Sequence, residues 1–193
     1  MPDPTGCRGP QPRQHGRMPA PWQLLASEPV LQSPWLSVHR ERLRTGRGHV
    51  IDPFWRTEAK SWVCVVALTP DGQAVLVEQY RRGCDRIVRE LPAGDLDPAE
   101  TAAACAVREL AEETGYQAVS EPIALGVLWP EPARCSAQAH GFVVRVGARP
   151  AGQELDAAED IATVLVPWER LRGDPAACGV VHAVHHAFIS KVR

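Results

Sequence analysis

The chain has 193 residues, enough for one domain of ordinary size with short extensions, since domains cluster near ~100–150 residues. Hydrophobic residues make up 45% and charged residues 23%, which excludes a disordered or fibrous chain taken as a whole. The formal net charge of −2 gives no basic footprint for nucleic acid or an anionic membrane, and no apolar run reaches the ~20 residues of a membrane span.

Residues 1–21 carry six prolines and three glycines with almost nothing apolar, too little burial to offset the entropy of ordering. A disordered tail is expected there, with Met18 a candidate natural start. Residues 22–60 read as a small N-terminal β region: two or three short strands between Trp22 and Arg44, a turn at Gly46 and Gly48, and an extended segment from His49 to Trp55. Trp62–Leu68 is continuously apolar and β-branched, and Asp71-Gly72 separates it from Ala74–Val77. That pattern predicts a hairpin in a sheet covered on both faces. Further strands are expected at Ile87–Leu91, Ile123–Leu128, Gly141–Val146 and Thr163–Val166, then a short helix opened by Pro167 and a C-terminal helix over Val180–Val192.

The strongest internal helix signal lies between Asp97 and Gly115. Asp97, Pro98 and Glu100 suit the N-cap, first and third helical positions, and Gly115 suits a left-handed C-terminal cap. At 100° per residue Ala103, Val107, Leu110 and Thr114 share one face, while Glu109, Glu112 and Glu113 cluster on another. Three neighbouring carboxylates repel one another and call for a cation. Oxygen ligands of this kind favour Mg²⁺, with Mn²⁺ as a substitute, bridging carboxylates and substrate phosphates.

Gly94, then five residues, Glu100, then seven residues, and Arg108-Glu109-Leu110-Ala111-Glu112-Glu113-Thr114-Gly115-Tyr116 reproduce the Nudix box, and the chain resembles the Nudix hydrolase family. Seven fixed identities would coincide by chance with a probability of ~10⁻⁸ per start position at average residue usage. Tyr116 departs from the aliphatic residue usual at its place. The resemblance implies an α+β fold, an α/β/α sandwich in which a mixed β-sheet is flanked by helices, with the small N-terminal β extension before a Nudix domain at 61–193. It implies Glu109 and Glu113 as metal ligands, Glu112 as an auxiliary ligand or a partner of Arg108, and Glu100 in a cap or an outer contact.

Val77-Glu78-Gln79-Tyr80-Arg81 and Glu90-Leu91-Pro92-Ala93-Gly94 look like the ADP-ribose pyrophosphatase branch of the family. That likeness implies the Ala93 carbonyl as a metal ligand, Arg81 on phosphate, Glu90 toward substrate or metal, and Pro132 (or Pro130) on a substrate loop. The glutamate that relatives carry on that loop is absent from its expected place, so Glu131, or Glu159 with Asp160, stands in as the base. Trp22, Trp35, Phe54 and Trp55 are candidates to stack on adenine or to pack in a homodimer, with Trp55 taken as substrate-binding. The reaction implied is hydrolysis of ADP-ribose to AMP and ribose 5-phosphate. The alternatives are hydrolysis of a nucleotide sugar such as GDP-mannose or of another nucleoside diphosphate derivative, or a ligand-sensing module without turnover.

Six scattered cysteines with no CxxC pair read as reduced, mostly buried thiols, and with no apolar leader the expected location is cytoplasmic. His182, His185 and His186 are read as solvent-facing, since no acidic partner on their helix makes a metal site.

Overall fold

The computed structural model describes residues 19–192; the readings on Met1–Met18 fall outside them. Two long strands, β1 (Gln23–Gln32) and β2 (Leu36–Arg44), replace the two or three short ones expected, and β3 (Val50–Ala59) completes an antiparallel three-stranded sheet in the order β1-β2-β3. Pro29 does not break β1 because the strand lies at an edge, where a missing N–H is tolerated, and the register shifts just beyond it.

The main sheet starts with β4 (Trp62–Leu68) and β5 (Gln73–Arg81), joined by the Asp71-Gly72 turn, with Gly72 at φ 81°. The apolar run of β4 splits by parity. Val63, Val65 and Ala67 enter one core layer, while Cys64, Val66 and Leu68 enter the other. A strand covered on both faces needs this continuous hydrophobicity, so the sequence pattern and the layering have one cause.

β4 and β5 pair only next to their turn, through Ala67–Val75 and Leu68–Ala74, and then diverge. The gap is filled by β6 (Arg86–Glu90), paired to the distal half of β5, and by β7 (Ala93–Asp95), paired to the proximal half of β4. Pro92, between them, accepts a hydrogen bond from the Val65 N–H at 3.0 Å. The split therefore holds the segment Glu90–Asp95 in the middle of the sheet.

Next come α1 (Ala102–Thr114), β8 (Ile123–Leu128), β9 (Ala139–Arg145), β10 (Ile161–Pro167), α2 (Trp168–Gly173) and α3 (Ala183–Ile189). The sheet order is β10-β5-β4-β9-β8, with β4 and β9 parallel and the other pairs antiparallel. Cys105, Ala106 and Leu110 of α1 cover one face. Leu171 of α2 and Val184, Phe188 and Ile189 of α3 cover the other. This is the expected mixed sheet between helices.

Three local expectations change. The N-cap of α1 is Thr101, whose side chain accepts from the Ala104 N–H, whereas Asp97 accepts from Ala99 in a separate turn upstream. α3 is shorter than Val180–Val192, its N-cap being His182. The α3 histidines are not solvent-facing. His185 is 2% exposed, and its Nδ1 accepts the Leu91 N–H at 3.2 Å, while His186 Nε2 lies 2.8 Å from the Val180 carbonyl oxygen. No helix among the described residues is long and apolar enough to cross a membrane.

Candidate active site

The carboxylates of α1 meet the segment that fills the split. Glu113 is 3% exposed, and its Oε2 accepts the Ala93 N–H at 2.9 Å. Its angular position falls between Ala102 and Ala106, so it belongs to the packed face of the helix and not to the outer one assigned from sequence. Burial, with the nearby charges of Glu109 and Glu159, pushes its carboxyl up to about 8 despite the Ala93 hydrogen bond. The Glu109 carboxyl fills the space where a side chain on Gly94 would stand, and burial raises its pKa as well.

Arg108 gathers the remaining acids. Its Nη2 binds Glu100 Oε1 at 2.6 Å, and its Nη1 reaches Glu112 Oε2 at 2.7 Å and Glu109 Oε1 at 2.9 Å. Glu100 accordingly acts through Arg108 and not as part of the helix cap. The hydrogen bond from Arg108 holds its carboxyl below the usual range.

The end of α1 also receives the loop that follows β9. Helix C-termini leave carbonyls without intrahelical partners. Here the Glu154 N–H donates to Glu112 O at 2.9 Å, and Gln153 Nε2 donates to Glu113 O at 2.6 Å and to Ile161 O at 3.2 Å. Gly115, at φ 72°, lies so close to the Gly152 backbone that any side chain there would collide with it. These contacts bring Glu154, Asp156 and Glu159 around a cleft of about 800 Å³ shared with Gly94, Glu109 and Glu112. Glu159 also borders a smaller cavity with Glu113, Ala93 and Arg81.

Arg81 lies on β5, and its guanidinium donates from Nε to Glu90 Oε2 at 2.8 Å, with Nη2 at 2.5 Å from the same oxygen. Gln79 Nε2 adds a third donor at 3.2 Å. Glu131, Pro132 and Trp55 are not brought to this cleft. The Glu131 turn is held against β3 by the Thr57 N–H, which donates to Arg134 O at 2.8 Å, and Trp55 lies on the N-terminal sheet opposite Arg40. The tryptophan that does border the cleft is Trp35, beside Lys60. Trp62, His182, Gln153 and Asp156 complete the surroundings and were not singled out from sequence as site residues. Of these, only His182 carried a signal, in its spacing to His185 and His186.

Among the described residues no three His, Cys, Asp or Glu side chains stand close enough to hold a cation as they are, and Arg108 pairs with both Glu109 and Glu112. The donor set still fits a hard divalent ion. The carboxyls of Glu109 and Glu113, both raised by burial, offer oxygen donors that are the complement of such a charge. The thiols do not contribute: burial pushes Cys64 up and Cys105 up to about 12, leaving both as neutral core groups.

A sequence model of the NUDIX domain matches residues 59–183. The chain belongs to the Nudix family. It is similar to putative nudix hydrolase 2 of Caenorhabditis elegans, 32% identical over 169 residues that cover 78% of this chain and 74% of that protein. Shorter matches relate it to the methanol dehydrogenase activator of Bacillus methanolicus, 46% identical over 55 residues, 28% of this chain and 30% of that protein. Another is to the ADP-ribose pyrophosphatase of Bacillus subtilis (strain 168), 45% identical over 56 residues, 29% of this chain and 30% of that protein. Its fold matches the crystal structure of an ADP compounds hydrolase with a TM-score of 0.72 and 23% identity, over 91% of this chain and 95% of that one. As a Nudix pyrophosphohydrolase it belongs to a family that generally uses divalent metals.

Proposed function

We propose that this Nudix enzyme hydrolyses the pyrophosphate bond of ADP-ribose to AMP and ribose 5-phosphate, with Mg²⁺ as its ion and Mn²⁺ as a substitute. The observation that carries this reading is the meeting of Glu109, Glu113 and Glu159 beside Ala93 and the Arg81–Glu90 pair. The similarity to an ADP-ribose pyrophosphatase and the fold shared with an ADP compounds hydrolase support the substrate.

Glu109, Glu113, Glu112 and the Ala93 carbonyl would hold the ion, which supplies charge neutralisation on the diphosphate and acidifies water. Arg108, tied to Glu100, orients Glu109 and Glu112. Glu159 takes the proton of the attacking water as its oxygen bonds to phosphorus. The P–O bond to the bridging oxygen breaks, and the leaving phosphate carries away the electron pair with little need of protonation. Arg81 meets the phosphate charge that Glu90 otherwise balances. Glu159 is preferred to Glu131 as base because it shares the cavity of Glu113.

Turnover of ADP-ribose, GDP-mannose, NADH and diadenosine polyphosphates with Mg²⁺, with Mn²⁺ and with chelator tests this. ADP-ribose is expected to lead, with activity lost in chelator, and Glu113→Gln to lose more than ~100-fold in kcat. Binding of these ligands without turnover would instead mark a sensing module, and a lead for GDP-mannose would move the reading to nucleotide sugars.

A further inference from the structure

A second cavity, of about 620 Å³, opens beside the carboxylate cleft, and Gly94 and Asp95 line both. A substrate crossing β7 would place one end in each. The Trp62 ring meets His182 and His185 edge-on, at centroid distances of 5.4 and 5.7 Å, and the two imidazoles stack at 4.5 Å. His185 is fixed by the Leu91 N–H and forms the back of this wall.

Two polar atoms at the cavity have no protein partner among the described residues. Glu90 is 4% exposed, and all three of its donors go to Oε2, which leaves Oε1 open. His182 Nδ1 accepts the Val184 N–H at 3.2 Å, which puts the proton of the neutral ring on Nε2. Burial keeps that ring neutral. The charges lining the cavity, Arg81 and Arg82 against Glu90 and Asp95, balance, so nothing there selects a further phosphate. An acceptor-only oxygen and an N–H donor beside the Trp62 ring complement a hydroxylated ring, whose hydroxyls both donate and accept and whose C–H face packs on Trp62.

We propose that this cavity is the subsite for the non-nucleotide half of the substrate and that it selects a neutral sugar through Glu90, His182 and Trp62. The proposal rests on the diphosphate hydrolysis described above and deepens it.

His182→Asn separates the roles, because asparagine keeps the α3 cap but withdraws the donor from the cavity. Against ADP-ribose its KM is expected to rise ~5–10-fold with kcat unchanged, the size of one neutral hydrogen bond. Against the methyl ester of ADP, which keeps the diphosphate but has no sugar, KM should stay within about twofold on the same reasoning. Equal losses on both substrates overturn the proposal. So does a loss that follows the base, seen as a changed preference between ADP-ribose and IDP-ribose. Calorimetric titration of ribose 5-phosphate into wild type and His182→Asn decides the subsite even where turnover fails. Binding weakened ~5–10-fold in the variant supports it, and absent or equal binding overturns it. Absent turnover of every diphosphate with intact, His182-dependent sugar binding would sink the hydrolase reading and leave the subsite standing.

Discussion

A methyl group on Gly94 would occupy the volume of the Glu109 carboxyl, so Gly94→Ala must displace either the strand or the carboxylate. Overpacking of this kind typically costs about 1–3 kcal/mol. The expected outcome is a lowered Tm together with activity that falls further than the stability loss explains, measured by thermal melts and steady-state kinetics on one preparation. Glu113 and His185 give the metal-free protein opposite pH limbs. The Glu113 carboxyl is raised from its ordinary 4.5 to about 8, so the folded chain holds a proton that the unfolded chain has released. Stability from this group is full below about 4.5 and is lost as pH rises toward about 8. His185 is held well below its ordinary 6.5 by burial, and its stability contribution is lost as pH falls from 6.5. Melts from pH 5 to 9 with chelator should show both limbs, Glu113→Gln flattening the alkaline one and His185→Asn the acidic one. The box spacing exposed Glu109 and Glu113 in the bare sequence, whereas the burial of Glu113 and His185 did not show there. A glutamate and a histidine both read as polar in a periodicity, and only the partners at Ala93 and Leu91, 20 and 94 residues away along the chain, permit them inside.

Elements carry the site by their ends. α1 begins later than its acidic and proline signals suggest, because the Asp97 side chain closes its own turn with Ala99 and Thr101 takes the cap. β5 runs to Arg81, beyond the apolar residues that announced it, since pairing with β6 and β10 continues through polar positions such as Gln79. The short strand Ala93–Asp95 left no periodic trace at all. It exists because β4 and β5 part and something must pair with the vacated edge. The loop after β9 is fixed to the end of α1 by the backbone N–H groups of Ala151 and Glu154, on Gly115 O and Glu112 O, and by one side-chain amide, Gln153, which bridges Glu113 O and Ile161 O. Gln153→Ala is expected to lower kcat about 10–100-fold, the usual effect of removing support from behind a site, with the far-UV circular dichroism unchanged. Unaltered kcat would show that Glu159 is held by other contacts.

At the scale of the molecule, the N-terminal sheet is the least covered part. Trp22, Leu24, Val30, Leu31 and Trp35 are all exposed in the single chain, an apolar surface of the kind that marks an interface. Sedimentation should give a homodimer, and Leu31→Glu combined with Trp35→Glu should give a monomer. A wild-type monomer would remove the dimer from the account. That the sheet is covered on both faces was legible in the continuously apolar Trp62–Leu68, whereas the α/β/α sandwich followed from the resemblance carried by the box. The separate first sheet was legible too, as the N-terminal β region at 22–60, but the length of its strands was not, since Pro29 reads as a breaker until its edge position is known. β4 sits between β5, β7 and β9 with helices over both faces, whereas among the described residues β1 is bonded along its length only to β2. Amide hydrogens therefore keep two clocks. Those of Val63–Ala67 exchange only when the whole chain opens, those of the β1–β2 ladder whenever the first sheet frays. If that sheet is the dimer's seam, its faster clock slows as protein concentration rises while the slower one keeps its pace.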